Sequence, residues 1–413
     1  MKTIAVICPD TVPLKLKETA PTTIEINNKK YSIQDKCTRA TSIGIRSWKI
    51  AEILSKTPGL SVTLLIPDVN FPGKEHIDTS SIKFDIQSFD LDSASWAWSE
   101  ELDRKIVKRN YNFVIIPSAM GVGFINCSVL PRSINVILDG YVPILAELPC
   151  SLLDRTNIYK RIFWNRFSEQ YAALLKRANC ILYANEMQLP YYEGQLFSFG
   201  RLDWKAFQFS TLLKIPYGLD VNERVKKNES TRLKLLWYGP SYPWYNPEAL
   251  LEESSNLKNI DINFYATRHP RYSKNYPGCF KKYIENNSST NVTVCEEYCD
   301  DRVSVYNEHD AGILLSRSWV EEKYSVRGRV LDMISYGIPV LLNRENPLFR
   351  ELDFVEDALY PISSDTLLED LQRINKSDMN ISDESMKLIQ KRMNWDTVLY
   401  PLIDYINNFS FID

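Results

Sequence analysis

The sequence predicts an α/β protein made of two doubly wound, Rossmann-like domains, and three observations carry that expectation. Short aliphatic and β-branched runs, apolar on both faces, alternate with longer stretches of helical periodicity. This pattern marks a parallel sheet covered by helices. The alternation begins at the N-terminus, breaks near the middle of the chain and begins again. The 413 residues, 44% apolar and 24% charged, suffice for two ordinary soluble cores.

Taken in order, Thr3–Cys8 (TIAVIC) reads as the first strand and Ser42–Ser55 as a helix with Ile45, Trp48 and Ile53 at helical spacing. Ser61–Pro67, Asn112–Pro117, Ile134–Leu138 and Asn179–Tyr183 follow as buried strands. The second series comprises Leu233–Tyr238, Ile260–Ala266, Val292–Cys295, Ala311–Leu315 and Pro339–Asn343, with a strong helix at Gly328–Tyr336. The segment Asp383–Phe409 reads as helical and amphipathic. The proline–glycine break at Ile215–Gly218, followed by the polar stretch Asn222–Thr231, marks the boundary. The expected domains are therefore residues 1–215, completed by a C-terminal helix at 390–413, and residues 216–389. Sheets of this kind bind ligands at the carboxyl ends of their strands, so two of them facing a cleft suit a reaction between two bound substrates.

Composition removes several classes. With 49 basic and 52 acidic side chains the net charge is −3, which gives no electrostatic case for nucleic acid. Eight cysteines are scattered, and the one close pair, Cys295 and Cys299, has no second pair at zinc-site spacing. They read as free buried thiols of a reducing compartment. The N-terminal apolar run is too short for a signal peptide, and no apolar stretch reaches the roughly 18 residues of a membrane span. The expected location is the cytoplasm. The aromatic and basic stretch Tyr159–Arg166 has helical spacing. It reads first as a surface helix and second as a seat for peripheral contact with the inner face of a membrane. Asp90 and Asp92 form a solvated turn rather than a metal dyad, and no metal or cofactor is expected. The glycine turn Met120–Phe124 lacks the third glycine of a dinucleotide fingerprint. Trp96, Trp98, Trp164, Trp204 and Trp319 read as packing residues, and no Ser/His/Asp or Cys/His catalytic set is legible.

The segment from Ser316 to Asn343 carries the chemistry. Between two buried strands it places Glu321, Glu322 and Lys323 in a loop, then Ser325, Arg327, Gly328 and Arg329 at the mouth of a helix. Asp332 follows one turn inside, on the face of Arg329. A helix N-terminus suits a diphosphate. Two guanidinium forks suit the same oxygens. A carboxylate such as Asp332 can accept hydrogen bonds from both hydroxyls of a ribose. The plainer alternative is a charge network that starts the helix, but charges set between buried strands need a reason.

In this segment the chain resembles the retaining, family-four glycosyltransferases of the GT-B fold, above all a branch found among bacterial polysaccharide genes. Glu321, Tyr324, Ser325, Arg327, Arg329, Leu331, Asp332, Gly337 and Pro339 fall in the register of that branch's E-x-x-F-S-x-R-x-R-x-L-D-Y-x-x-x-G-L-P. Gly44, Ile45, Arg46 and Trp48 resemble its G-I-R-x-W; Asp139, Tyr141, Pro143 and Glu147 its D-L-Y-D-P-x-x-x-E. Ala184–Gln188 with Gly200 and Arg201, Leu236–Gly239 with Trp244, Asn246 and Pro247, Ala266–Pro270, and Trp395 continue the match in order along the chain.

The resemblance implies a metal-independent hexosyltransferase that moves a sugar from a UDP-, GDP- or dTDP-linked donor to a glycan or lipid-linked acceptor, with retention, in surface polysaccharide synthesis. It implies that the second domain holds the nucleotide, with Asp332 on the ribose and Glu321 beside the donor sugar. The backbone at Ser325 and Val326 would meet the diphosphate, and the turn at Ile43–Arg46, where Gly44 gives the backbone room, the donor phosphates or the acceptor. The chain departs from the family pattern at three places. Tyr324, not glutamate, stands eight residues before Asp332. Tyr242, Trp244 and Tyr245 follow Gly239 where the family carries a basic pair for the diphosphate; Arg268, Lys323, Arg327 and Arg329 are the candidates for that charge. No histidine has a counterpart in the first domain, which leaves Asp139 as the polar group on the acceptor side. Catalysis would be mostly electrostatic, with arginines such as Arg327 and helix dipoles stabilising the departing diphosphate. Two rival readings share the fold: a nucleotide-sugar epimerase, and a non-catalytic protein that binds a nucleotide sugar or a partner enzyme.

Overall fold

In a computed structural model of the chain, the described residues are 1–26, 29–33, 37, 39–90, 99–118, 125–151, 158–201, 211–225, 230–265, 280, 291–295, 299, 301–317 and 320–409. The chain divides into two compact units, Met1–Gly218 with Trp395–Asp413, and Leu219–Asn394.

The first unit holds β1 (Lys2–Ile7), an antiparallel hairpin of β2 (Thr23–Ile26) and β3 (Lys29–Ser32), β4 (Leu60–Pro67), β5 (Asp85–Phe89), β6 (Phe113–Pro117), β7 (Asn135–Asp139), β8 (Cys180–Tyr183) and β9 (Thr211–Lys214). Seven of them form one parallel sheet in the order β5-β4-β1-β6-β7-β8-β9. The chain therefore winds outward from β1 in one direction, returns to β6 and winds outward in the other. The crevice of a doubly wound sheet lies at that reversal, beyond the carboxyl ends of β1 and β6. The apolar runs form strands because both of their faces are covered. Ile7, Leu65, Val114, Ile116, Leu138 and Ile181 share one core.

Helix Ser42–Lys56 follows the β2–β3 hairpin and is capped by Thr41, whose hydroxyl accepts from the Gly44 amide at 3.1 Å. Helix Trp395–Asn408 also belongs to this unit and buries Trp395, Val398, Leu399, Leu402 and Ile406. Lys2 Nζ donates to the carbonyls of Ile406 (2.7 Å), Asn407 (2.9 Å) and Phe409 (2.9 Å), which satisfies the end of that helix.

The second unit repeats the plan. Strands β10 (Leu233–Tyr238), β11 (Ile260–Tyr265), β12 (Val292–Cys295), β13 (Ala311–Leu314), β14 (Val340–Asn343) and β15 (Leu359–Ile362) form a parallel sheet in the order β12-β11-β10-β13-β14-β15. Its reversal falls between β10 and β13, where Leu235 stands beside Ala311 and Leu236 beside Gly312. Gly312 decides how closely the next helix, Gly328–Ser335, lies on the sheet, since a Cβ there would stand 2.5 Å from the Met333 sulfur.

The structure departs from the sequence expectation in places. The segment Asp383–Phe409 is two helices, Asp383–Met393 and Trp395–Asn408, because Asn394 between them is extended (φ −64°, ψ 151°). Strands β5, β9 and β15 and the β2–β3 hairpin were not expected. The basic and aromatic stretch Tyr159–Arg166 lies in helix Ile158–Arg177, in which Ile158 and Ile162 are exposed. No helix among the described residues is long and apolar enough to cross a membrane. Cys8, Cys37, Cys127, Cys180, Cys295 and Cys299 are free thiols, the first four of them buried. Among the described residues no His, Cys, Asp or Glu group is gathered as for a metal ion.

Candidate functional site

In the second unit the candidate residues collect at the sheet reversal. Beyond β13, Ser316 is fixed to the end of β14: the Asn343 carboxamide accepts from the Ser316 amide at 2.6 Å and donates to its carbonyl at 3.1 Å. Beyond β10, the loop 239–246 is zipped onto the same segment. The Asn246 amide donates to Leu315 O (2.9 Å), the Arg317 amide donates to Trp244 O (2.8 Å), and Tyr245 forms a bridge with Ser316. The two strand ends that flank the reversal are thereby held side by side.

A 3-10 turn, Val320–Lys323, then leads to helix Gly328–Ser335. Glu321 and Glu322 point inward and are buried, while Lys323 is exposed. Arg327 grips Glu321 with both ends of its fork, at 2.6 and 2.7 Å, and pairs with Glu322. Ser325 also donates to Glu321, and Asn346 donates to Glu322 at 2.7 Å. Arg327 is 4% exposed and Glu321 0%. Burial works against the guanidinium charge, but Glu322, Tyr245 and Glu321 outweigh it and hold the arginine well above its usual pKa. The result is a closed ionic cluster that shapes the loop.

Arg329 lies outside that cluster. Its Nη2 donates to Pro240 O at 2.8 Å, and its guanidinium sits over Tyr245 (4.8 Å) and Tyr242 (5.9 Å). Gly239, with φ +96°, makes the turn after β10, and a Cβ there would stand 3.3 Å from Arg329 Cζ. The glycine is required both for the backbone conformation and for the approach of the arginine.

One turn on, Asp332 accepts from the Tyr306 hydroxyl at 2.6 Å and pairs with Arg302 at 3.1 Å. Burial and the Asp332 charge push the Tyr306 phenol well above its usual pKa. Burial opposes the Arg302 charge, but Asp332 prevails and raises its pKa. Tyr306 is enclosed by Tyr238 and Tyr336 at 5.5 and 5.4 Å. Sequence reasoning missed Tyr306 and Arg302. Their signal was the four-residue spacing, which sets both on one helix face just ahead of the reversal strand. Tyr324 is half-buried beside the cluster.

In the first unit, Asp139 ends β7 and accepts a bidentate pair from Arg46, Nε at 2.8 Å and Nη2 at 2.9 Å. Arg46, 1% exposed, also donates to Pro216 O (2.9 Å) and Ile215 O (3.0 Å) and lies over Tyr141. These four groups tie β7 and helix Ser42–Lys56 to the segment that leads out of the unit. Gly44 faces the Thr11 carbonyl, which fills the space its missing side chain leaves, so the room expected there for donor or acceptor is occupied by the chain itself. Arg268, His269, Trp96, Trp98, Trp204 and Trp319, Asp92 and the glycine turn 120–124 lie outside the described residues.

The sequence matches no family model and no curated protein. Its fold, however, is shared along nearly the full length of solved structures. It is similar to sucrose-phosphate synthase from Thermosynechococcus elongatus (TM-score 0.66, 12% identity, 98% of each chain). It is also similar to trehalose 6-phosphate synthase from Burkholderia multivorans (0.63, 7%, 98% of each), and to Anabaena HepE in complex with UDP-glucose (0.61, 11%, 99% of this chain and 100% of that one). The architecture is the GT-B fold.

Proposed function

We propose that the protein is a glycosyltransferase that binds a nucleotide-sugar donor on its second unit and transfers a hexosyl group, with retention and without a metal, to a glycan or lipid-linked acceptor. One observation carries the reading. The polar residues of the segment between β13 and β14 stand at the sheet reversal, opposite the Gly239 turn, where a doubly wound sheet takes its ligand. The UDP-glucose in the HepE structure, on the same fold, agrees with it. In this reading Asp332 receives the ribose, steadied by Tyr306 and Arg302. Glu321, sealed against Arg327, shapes the loop at Ser325 that faces the diphosphate. Asp139 and Arg46 support the segment Ile215–Pro216 and not the acceptor.

The test is release of nucleoside diphosphate from UDP-, GDP- and dTDP-sugars, with and without glycan and lipid-linked acceptors. Acceptor-dependent release with one of the three bases is expected. Asp332→Asn should weaken donor binding, and an unchanged affinity would refute the ribose assignment. Sugar interconversion without acceptor would favour an epimerase. A second reading, a non-catalytic nucleotide-sugar binder, draws on the burial of Glu321 and its neutralisation by Arg327. Donor binding without turnover would select it.

A further inference from the structure

Five side-chain N–H groups among the described residues are buried without an acceptor: Arg177 Nε, Trp237 Nε1, Trp244 Nε1, Arg327 Nε and Arg329 Nη1. Four of the five belong to the side chains around one ring, Tyr245. The Trp237 ring lies 5.8 Å from its centroid, the Trp244 ring 6.0 Å, Arg327 Cζ 5.0 Å and Arg329 Cζ 4.8 Å. Unpaired buried donors are costly and uncommon. The side chains that carry these four donors surround Tyr245 at the sheet reversal. The arginines differ there. Arg327 is neutralised by Glu321 and Glu322. Among the described residues Arg329 has no carboxylate partner; its hold is a backbone carbonyl and two aromatic faces, which orient a guanidinium without cancelling its charge.

We infer that Arg329 is the diphosphate-binding residue of the donor site, and that Tyr242, Tyr245 and Pro240 O position its fork beside the Gly239 turn. This rests on the donor-site reading above. The loop after Gly239 carries aromatics in place of cations, and Arg329 brings the charge to that turn from the facing helix. Arg327 is a positioning residue of the loop and supplies no net charge to the ligand.

The experiment is calorimetric titration of the full-length protein with UDP, GDP and dTDP and with uridine, guanosine and thymidine. The wild type should bind one diphosphate more tightly than its nucleoside. Arg329→Gln should weaken that diphosphate about tenfold or more and leave nucleoside affinity within about twofold. Wild-type diphosphate affinity in Arg329→Gln, or equal loss of diphosphate and nucleoside, overturns the inference. If Arg329→Gln does not fold, Arg329→Lys decides, because it keeps the charge and loses the fork. A loss of about threefold or more for the diphosphate alone is expected, and no loss overturns the assignment. A wild type that binds none of the three nucleotides overturns the donor-site reading itself.

Discussion

Arg46 and Asp139 stand 93 positions apart in sequence, yet each is the other's main partner. Removing one member of a buried pair leaves the other charge uncompensated, at about 3–5 kcal/mol. Asp139→Ala should therefore lower the stability of the first unit by that order in urea unfolding. A loss below about 1 kcal/mol would show that Arg46 finds water or other acceptors. His309 gives a pH signature in the second unit. Its Nδ1 stands 2.6 Å from Val305 O, so that nitrogen carries the hydrogen, and Nε2 accepts from the Asn263 side-chain Nδ2 at 2.8 Å. Burial lowers its pKa below 6.5, while Val305 O, Glu308 and Asp310 oppose and Lys234 assists. The unfolded chain therefore binds the proton first. The stabilising contribution is complete above about pH 6.5 and is lost as pH falls through the folded-state value. The melting temperature should drop more between pH 7.5 and 5.5 in the wild type than in His309→Gln; equal drops would remove His309 as the source. Such pairings explain what the sequence could show of the site. The residue types at the reversal were legible because charges between two apolar strands are conspicuous. Which carboxylate neutralises which arginine was not, since Tyr306, Arg302 and the Gly239 loop reach the segment only through the folded sheet.

At the scale of elements, the strands read correctly are mainly those covered on both faces. β6, β7 and β8 are buried at every position, so their sequences are continuous apolar runs. The missed strands β5, β9 and β15 are all sheet edges. β9 is half-buried throughout, and β5 (DIQSF) mixes polar and apolar positions, which leaves no period to detect. The long amphipathic segment near the C-terminus kept its helical period on both sides of Asn394, and that concealed the break. Two glycines in helices separate close packing from mere tolerance. A Cβ at Gly44 would overlap the Thr11 carbonyl, whereas one at Gly194 in helix Gln188–Ser198 meets nothing within 4 Å. Gly44→Ala must push the helix off the loop after β1 and should cost about 3 kcal/mol. Gly194→Ala should add about 0.5–1 kcal/mol through helix propensity and a less flexible unfolded chain. Denaturant midpoints of the two variants check this; a neutral Gly44→Ala would show that the Thr11 loop yields.

For the whole molecule, the two units differ in how the chain composes them. The second is continuous, Leu219–Asn394. Its ends are adjacent: the Leu219 amide donates to Met393 O at 2.7 Å, and Leu219 pairs with Asn394 in a parallel bridge. Neighbouring ends mark a unit able to fold alone. The first unit is split, and residues 395–413 supply part of its core. Trp395 packs on Gly218, where a Cβ would stand 2.5 Å from the ring, and meets Tyr217 edge-on at 5.1 Å. With Val398, Leu399, Leu402 and Ile406 it buries five large apolar side chains. At about 1.5–3 kcal/mol each, they contribute on the order of 10 kcal/mol, comparable with the whole net stability of a typical domain. Residues 219–394 expressed alone should therefore melt cooperatively. Because every donor residue assigned above lies within them, they should bind the same nucleoside diphosphate as the full chain. Residues 1–218 alone should not fold, and adding 395–413 through a flexible linker should restore a cooperative transition. Circular dichroism melts of the three fragments read this directly. A folded 1–218 fragment would show that the last helix is an accessory of the first sheet and not part of its core.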